Sequence, residues 1–85
     1  MPDTSTDAIR RWLIERAAYY LERPADEVDP DALFVQLGLD SVYSLTLCGD
    51  VEDRFDCVLA PTITWDHPTI NALAGYLGTE LAGSR

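Results

Sequence analysis

Ser41-Val42-Tyr43-Ser44-Leu45-Thr46-Leu47-Cys48-Gly49-Asp50-Val51-Glu52-Asp53-Arg54-Phe55 sets its apolar side chains at steps of three and four. Ser44, Leu47, Cys48, Val51 and Phe55 fall on one stripe, long enough to be the core face of an amphipathic helix. Val42, Leu45 and Gly49 fall on a second, shorter stripe that begins beside Ser41. The spacing predicts a helix from residues 40–41 to about Phe55. Gly49 weakens it by up to about 1 kcal/mol against Ala. Asp56 is expected to end it, because Asp tolerates the left-handed conformation better than most residues.

Upstream lies a long connection, residues 24–40, with Pro24, Glu27, Asp29, Pro30 and Asp31, closing at Gly38. Val28, Leu33, Phe34 and Leu37 are enough to pin it to a core. A connection this long in a compact domain is usually functional or carries a helical turn of its own. Before it, Ile9, Trp12, Leu13, Ala17 and Tyr20 keep helical spacing over residues 6–21. Thr4 or Ser5 can cap that helix, Asp7 suits its positive end, and Pro24 stops it.

Downstream, residues 59–65 read as a packed turn or two, too short to stand alone as a helix. Asp66-His67-Pro68 breaks them, and Thr69 caps a last helix over residues 70–81. Ile70, Leu73, Ala74, Leu77 and Leu81 form its inner face. No strand-type alternation persists anywhere. The expected fold is all-α: a small bundle of three long helices plus one short helix, with a long loop between the first two helices.

The 85 residues fit one domain, 1–85, with a folded part at about 6–82. Fifteen acidic residues against six Lys and Arg give a net charge of −9. Such a surface repels nucleic acid and anionic membranes. It suits protein partners with basic docking patches, and it equally serves solubility alone. No apolar run approaches the roughly 18 residues of a membrane span, and no secretory signal pattern appears. Cys48 and Cys57 are too few for a disulfide framework, and with the single His67 they make no convincing zinc site. Both read as free thiols in a reducing compartment, and the domain is expected to be cytoplasmic and monomeric in isolation.

The usual catalytic sets are missing. Ser41 and His67 invite comparison with a hydrolase pair, yet the G-x-S-x-G elbow is replaced by Gly38-Leu39-Asp40-Ser41-Val42. A bundle of this size offers little room for a water-excluding cleft. His67 has a simpler use at a helix entrance, where its ring can pack or bond to backbone. No calcium loop, phosphate-binding glycine loop or dinucleotide fingerprint occurs. The domain is therefore expected to have no catalytic or metal-binding residues. Ser41 remains, at a helix start after a glycine-containing turn. Serine there reads as an ordinary N-cap. The same position also stabilises a phosphate through unpaired N–H groups and the helix dipole.

Phe34-Val35-Gln36-Leu37-Gly38-Leu39-Asp40-Ser41-Val42 resembles the phosphopantetheine attachment motif of acyl carrier proteins: an aromatic, then Leu-Gly-x-Asp-Ser, then an aliphatic. Thr62-Ile63-Thr64-Trp65-Asp66-His67-Pro68-Thr69 resembles the segment before the last helix in polyketide synthase carrier domains. The spacing between the two motifs matches without a gap, and the resemblance covers residues 9–77. Leu39 points to the acyl branch, since peptidyl carriers more often show Gly-Gly there. Three features depart from the family pattern: Thr46 where Glu is usual, Cys48-Gly49 where basic and amide residues are common, and Asp56 where Gly is common.

The resemblance implies that a phosphopantetheinyl transferase moves 4'-phosphopantetheine from coenzyme A, with magnesium, to the Ser41 hydroxyl. The activating base would belong to the transferase. The arm's thiol would then hold polyketide intermediates as thioesters for a ketosynthase, an acyltransferase and other synthase enzymes. Val42, Leu45 and Thr46 are the expected centre of the docking patch, with Asp40, Asp50, Glu52 and Asp53 as a charged rim. Each acidic residue, taken singly, also reads as a solvated face. Leu47, Leu59, Ile63 and Trp65 are candidates to line an acyl cleft, and the same four also read simply as core. Two other readings stand beside this one: a peptidyl or aryl carrier of nonribosomal peptide synthesis, and an unmodified helical interaction module.

Overall fold

The computed structural model describes residues 5–39, 41–60 and 62–83. Helices α1 (Thr6–Leu21), α2 (Phe34–Leu37), α3 (Ser41–Phe55), α4 (Ile63–Asp66) and α5 (Ile70–Gly83) follow in order, with a 3-10 turn at Ala25–Glu27. Among the described residues, the β-type pairing is one isolated antiparallel bridge, Leu33 to Thr69.

Local signals account for the helix ends. Ser5 Oγ accepts the Ala8 N–H at 3.3 Å and opens α1. Glu22 turns left-handed at φ 54° and closes it, two residues before Pro24. Asp56 does the same for α3 at φ 52°. Thr69 Oγ1 accepts the Ala72 N–H at 3.0 Å and caps α5.

The long helices bury the stripes their spacing marks out. Ile9, Leu13 and Ala17 of α1, Leu47 and Val51 of α3, and Ile70, Leu73, Ala74 and Leu77 of α5 are all enclosed. Each large side chain among them contributes about 1.5–3 kcal/mol by leaving water. Trp12 meets Phe55 edge-on at 5.3 Å, while Tyr20 reaches Asp50 and stacks near Tyr43 at 5.9 Å. Residues later in α1 thus meet residues earlier in α3, so the two helices run antiparallel. A Cβ at Gly78 would run into Thr6 Oγ1, which is how closely α5 passes the start of α1.

The connection between α1 and α3 is more ordered than one loop beside a single short helix. It holds the 3-10 turn and the one-turn α2, so the described residues include two single-turn helices, α2 and α4. The reason is anchoring at both ends. Gln36 Oε1 accepts the Leu33 N–H at 2.8 Å, and Phe34 is buried. The Phe34 N–H donates to the Pro68 carbonyl at 2.9 Å, and the Asn71 N–H donates to the Pro30 carbonyl at 3.0 Å. Asn71 Nδ2 also donates to Asp31 at 2.6 Å. The connection is stitched in this way to the junction of α4 and α5.

Gly38 ends α2 at φ 93°. An added Cβ would meet Leu21 Cδ2 at an ordinary 3.5 Å, so the constraint at this position is conformational rather than steric. Gly38→Ala is expected to cost about 1–2 kcal/mol, the penalty of a left-handed non-glycine residue. A urea unfolding midpoint checks this.

Candidate functional site

Ser41 is the first residue of the 15-residue α3, and the first turn of that helix carries no acidic side chain. A helix of this length presents unpaired N–H groups and the positive end of its dipole at its start, which favours a phosphate there. Asp40, the rim residue just before it, lies outside the described residues.

Val42 and Leu45 are 67% and 60% exposed, unusual for aliphatic side chains on an α3 that buries its other stripe. Thr46 is exposed too, with its hydroxyl donating to the Val42 carbonyl at 3.0 Å. Asp53 faces solvent. The other two acidic positions expected in the rim have partners inside the chain. Glu52 Oε2 accepts the Leu59 N–H at 2.8 Å and steadies the segment after α3. Asp50 accepts from Arg16 at 3.1 Å and from the Tyr20 hydroxyl, while Arg16 also donates to Tyr20 Oη at 3.2 Å. This triad ties α1 to α3 with charge-assisted bonds. Tyr20→Phe is expected to cost about 1–2 kcal/mol, the lower part of the range for bonds to charged groups because the cluster is only half-buried. Chemical unfolding of the variant tests it.

The four residues expected at an acyl cleft have different surroundings. Leu47 is 0% exposed and belongs to the core with Ile63, and Leu59 packs against that core from its edge. Leu47 shares its helical stripe with Val51 and Phe55, so its side chain is committed inward. Of the four, Trp65 alone lines an open groove of about 670 Å³ between α2, α3 and α4. Buried Phe34, Leu39 and Cys48 make its floor, and Val35, Leu45 and Trp65 stand at its rim. Ser44 and Thr64 are its hydroxyl-bearing residues. Positions 41, 44, 45 and 48 share one helical register, so the groove runs alongside α3 from one turn past Ser41. The signal for Ser44 and Cys48 was present in that register, whereas Val35 and Thr64 arrive from other elements.

His67 stacks near Tyr76, ring centroids 4.4 Å apart, and its backbone N–H donates to the Ile63 carbonyl at 2.9 Å. Its place is structural packing at the α4–α5 junction. Among the described residues, no cluster of His, Cys, Asp and Glu could hold a metal, and no helix is long and apolar enough to cross a membrane.

Cys48 and Cys57 are free thiols. Burial pushes both thiols up, with the Glu52 charge adding to each and Asp56 adding to Cys57. Burial, then the bond to Asp50, pushes the Tyr20 phenol up. A group whose folded form holds its proton more tightly adds stability that is complete below its unfolded pKa. That stability is lost as pH rises through the folded value. Stability is therefore expected to fall above about pH 9 for the thiols and further above about pH 10 for Tyr20. Urea midpoints across that range check it, and Cys48→Ala with Cys57→Ala should remove the first part.

The family model described as "Phosphopantetheine attachment site" matches residues 11–77. The chain belongs to this family: it is a non-catalytic carrier domain whose cofactor is covalently attached 4'-phosphopantetheine. It is similar to the phenolphthiocerol synthesis polyketide synthase type I Pks15/1 of Mycobacterium bovis, 41% identical over 71 residues, covering 82% of this chain and 3% of that protein. The chain thus spans a small fraction of the length of the curated relatives it matches. Among solved structures it is similar to a free-standing peptidyl carrier protein from Acinetobacter baumannii, with a TM-score of 0.87 and 38% identity over 93% of this chain and 99% of that one. It is also similar to the acyl carrier protein LipD from Actinoplanes friuliensis, with a TM-score of 0.77 and 40% identity over 93% of this chain and 88% of that one.

Proposed function

We propose that Ser41 carries the arm and that the domain shuttles polyketide intermediates as thioesters among synthase enzymes. The observation that supports this most directly is the place of Ser41: first residue of α3, at the end of the Leu37-Gly38-Leu39-Asp40-Ser41 run, inside the matched region. The site fits the group. A phosphodiester at this position meets a helix N-terminus whose first turn carries no acidic side chain, and an open groove lies one turn away.

The bound arm supplies a thiol that holds acyl groups as reactive thioesters. This chain's own part is to provide the hydroxyl at a helix start and to offer a surface for docking. The transferase provides the base that takes the Ser41 proton. Val42, Leu45 and Thr46 form the apolar centre of docking, and Asp53 with Asp40 supplies the charge. Rim charges set on-rate and orientation, while the apolar centre governs release. Partners such as a ketosynthase or an acyltransferase are met in turn, so each interface is small and transient. Delivery works by raising the local concentration of the acyl group at each partner.

The test is intact mass after incubation with coenzyme A, magnesium and a broad-specificity phosphopantetheinyl transferase. A gain of one phosphopantetheine supports the carrier reading. No gain in folded, initially unmodified protein overturns it and leaves an unmodified interaction module. A second reading, a peptidyl carrier, draws on the 38% identity to the Acinetobacter protein. Loading by an amino-acid-activating adenylation enzyme, with none by an acyltransferase, would favour it.

A further inference from the structure

We infer that Leu39 is the positioning residue for Ser41: it pins the first turn of α3, so that the hydroxyl is offered to the transferase in one geometry. The inference rests on the Ser41 reading. The turn that would bear the arm has little packing of its own. Val42, Tyr43, Leu45 and Thr46 all face solvent, and Leu47 is the first of the described α3 side chains to be buried. Between Phe34 and Leu47, Leu39 alone among the described residues is buried. A turn with few buried contacts opens at little cost in free energy, so this one depends on the anchor just before it.

Leu39 is itself fixed by backbone and by packing. Gly38, left-handed at φ 93°, turns the chain after α2. The Leu39 N–H then donates to the Phe34 carbonyl at 3.0 Å and the Gly38 N–H to the Val35 carbonyl at 3.3 Å, the paired bonds that lock a helix end. The Leu39 side chain, 1% exposed, shares the groove floor with Phe34 of α2 and Cys48 of α3. The Phe34 N–H donates to the Pro68 carbonyl, so the anchorage extends to the α4–α5 junction. From Leu39 to Ser41 the chain advances two residues, at most about 7 Å. A peg this near leaves the start of α3 little freedom. In the transfer the Ser41 oxygen bonds to the phosphorus that bears pantetheine, the bond from that phosphorus to the rest of coenzyme A breaks, and the proton goes to the transferase's base. Such a step needs its reacting atoms aligned, and a displacement of about 1 Å costs up to about 100-fold in rate.

The experiment times arm attachment to unmodified protein with coenzyme A, magnesium and a broad-specificity transferase, read by intact mass and corrected for the folded fraction found by urea unfolding. Leu39→Ala is expected to lower kcat/KM about ten-fold or more. Leu39→Val, milder to the fold, lowers it less, and Leu39→Met, close in volume, restores it. Leu73→Ala removes an equally enclosed leucine from α5 and controls for instability: after the same correction it keeps the parent's kcat/KM. Hydrogen exchange adds a readout that needs no transferase. The amides of Leu45 and Thr46 pair back to the first turn of α3. In Leu39→Ala they should lose protection about ten-fold relative to the Val51 amide of the same helix, and in Leu73→Ala they should not. Loading of Leu39→Ala as fast as Leu73→Ala overturns the inference while the Ser41 reading stands. So does slowed loading with no loss of protection at Leu45 and Thr46. A folded parent that gains no arm overturns the Ser41 reading, and this inference with it.

Discussion

Ser41→Ala is expected to take up no phosphopantetheine while keeping the parent's helical content and unfolding midpoint. The attachment chemistry needs a hydroxyl, and alanine has none, so the loss is complete rather than graded. The fold should not notice the change, because Ala is the best helix former and position 41 lies within α3. Intact mass of variant and parent, incubated side by side, reads the outcome. A variant that still gained the arm would move the attachment to another hydroxyl. Ser44, three residues further into α3, would be the first to examine.

Leu47→Ala is expected to cost about 2–5 kcal/mol, the range for removing a fully enclosed leucine. An 85-residue domain has about 4–13 kcal/mol in total, so this single change can unfold a large share of the protein at 37 °C. The measurement is a urea or thermal midpoint. The result also separates two roles. A residue lining an open cleft would lose little on truncation, because solvent already reaches it. A large loss places Leu47 among the packed residues that hold α3 to the bundle. Trp65→Ala, on the rim at 83% exposure, should by contrast leave stability nearly unchanged.

Helix order and boundaries are the most legible part of this chain. α1 and α3 begin and end within a residue of where spacing and turn chemistry put them, because their apolar stripes repeat over four turns and Ser5, Pro24 and Asp56 act through their immediate neighbours. The one-turn α2 is less legible. Its four residues cannot support a helix by themselves, and it exists through bonds to Pro68 across the fold, with Asn71 holding the chain just before it. The same holds for Asp50 and Glu52. In sequence they are two more charges on a polar face. Only the approach of Tyr20 and Arg16, some thirty residues earlier, and of the Leu59 backbone turns them into structural ties.

Local pattern alone therefore settles the all-α class, the three long helices and the placement of Ser41 at a helix start, since each depends on residues within a few turns of one another, while the match to the carrier family draws on residues 11–77. Tertiary structure decides what each apolar stripe meets. Spacing already puts Leu47 on the core stripe of α3 and Leu45 on the shorter one, but it does not say what lies against either. The first is enclosed in the core, and the second stands exposed at the rim of a groove that α2 and α4 also line. Burial is a property of what faces a side chain, and what faces it comes from elsewhere in the chain.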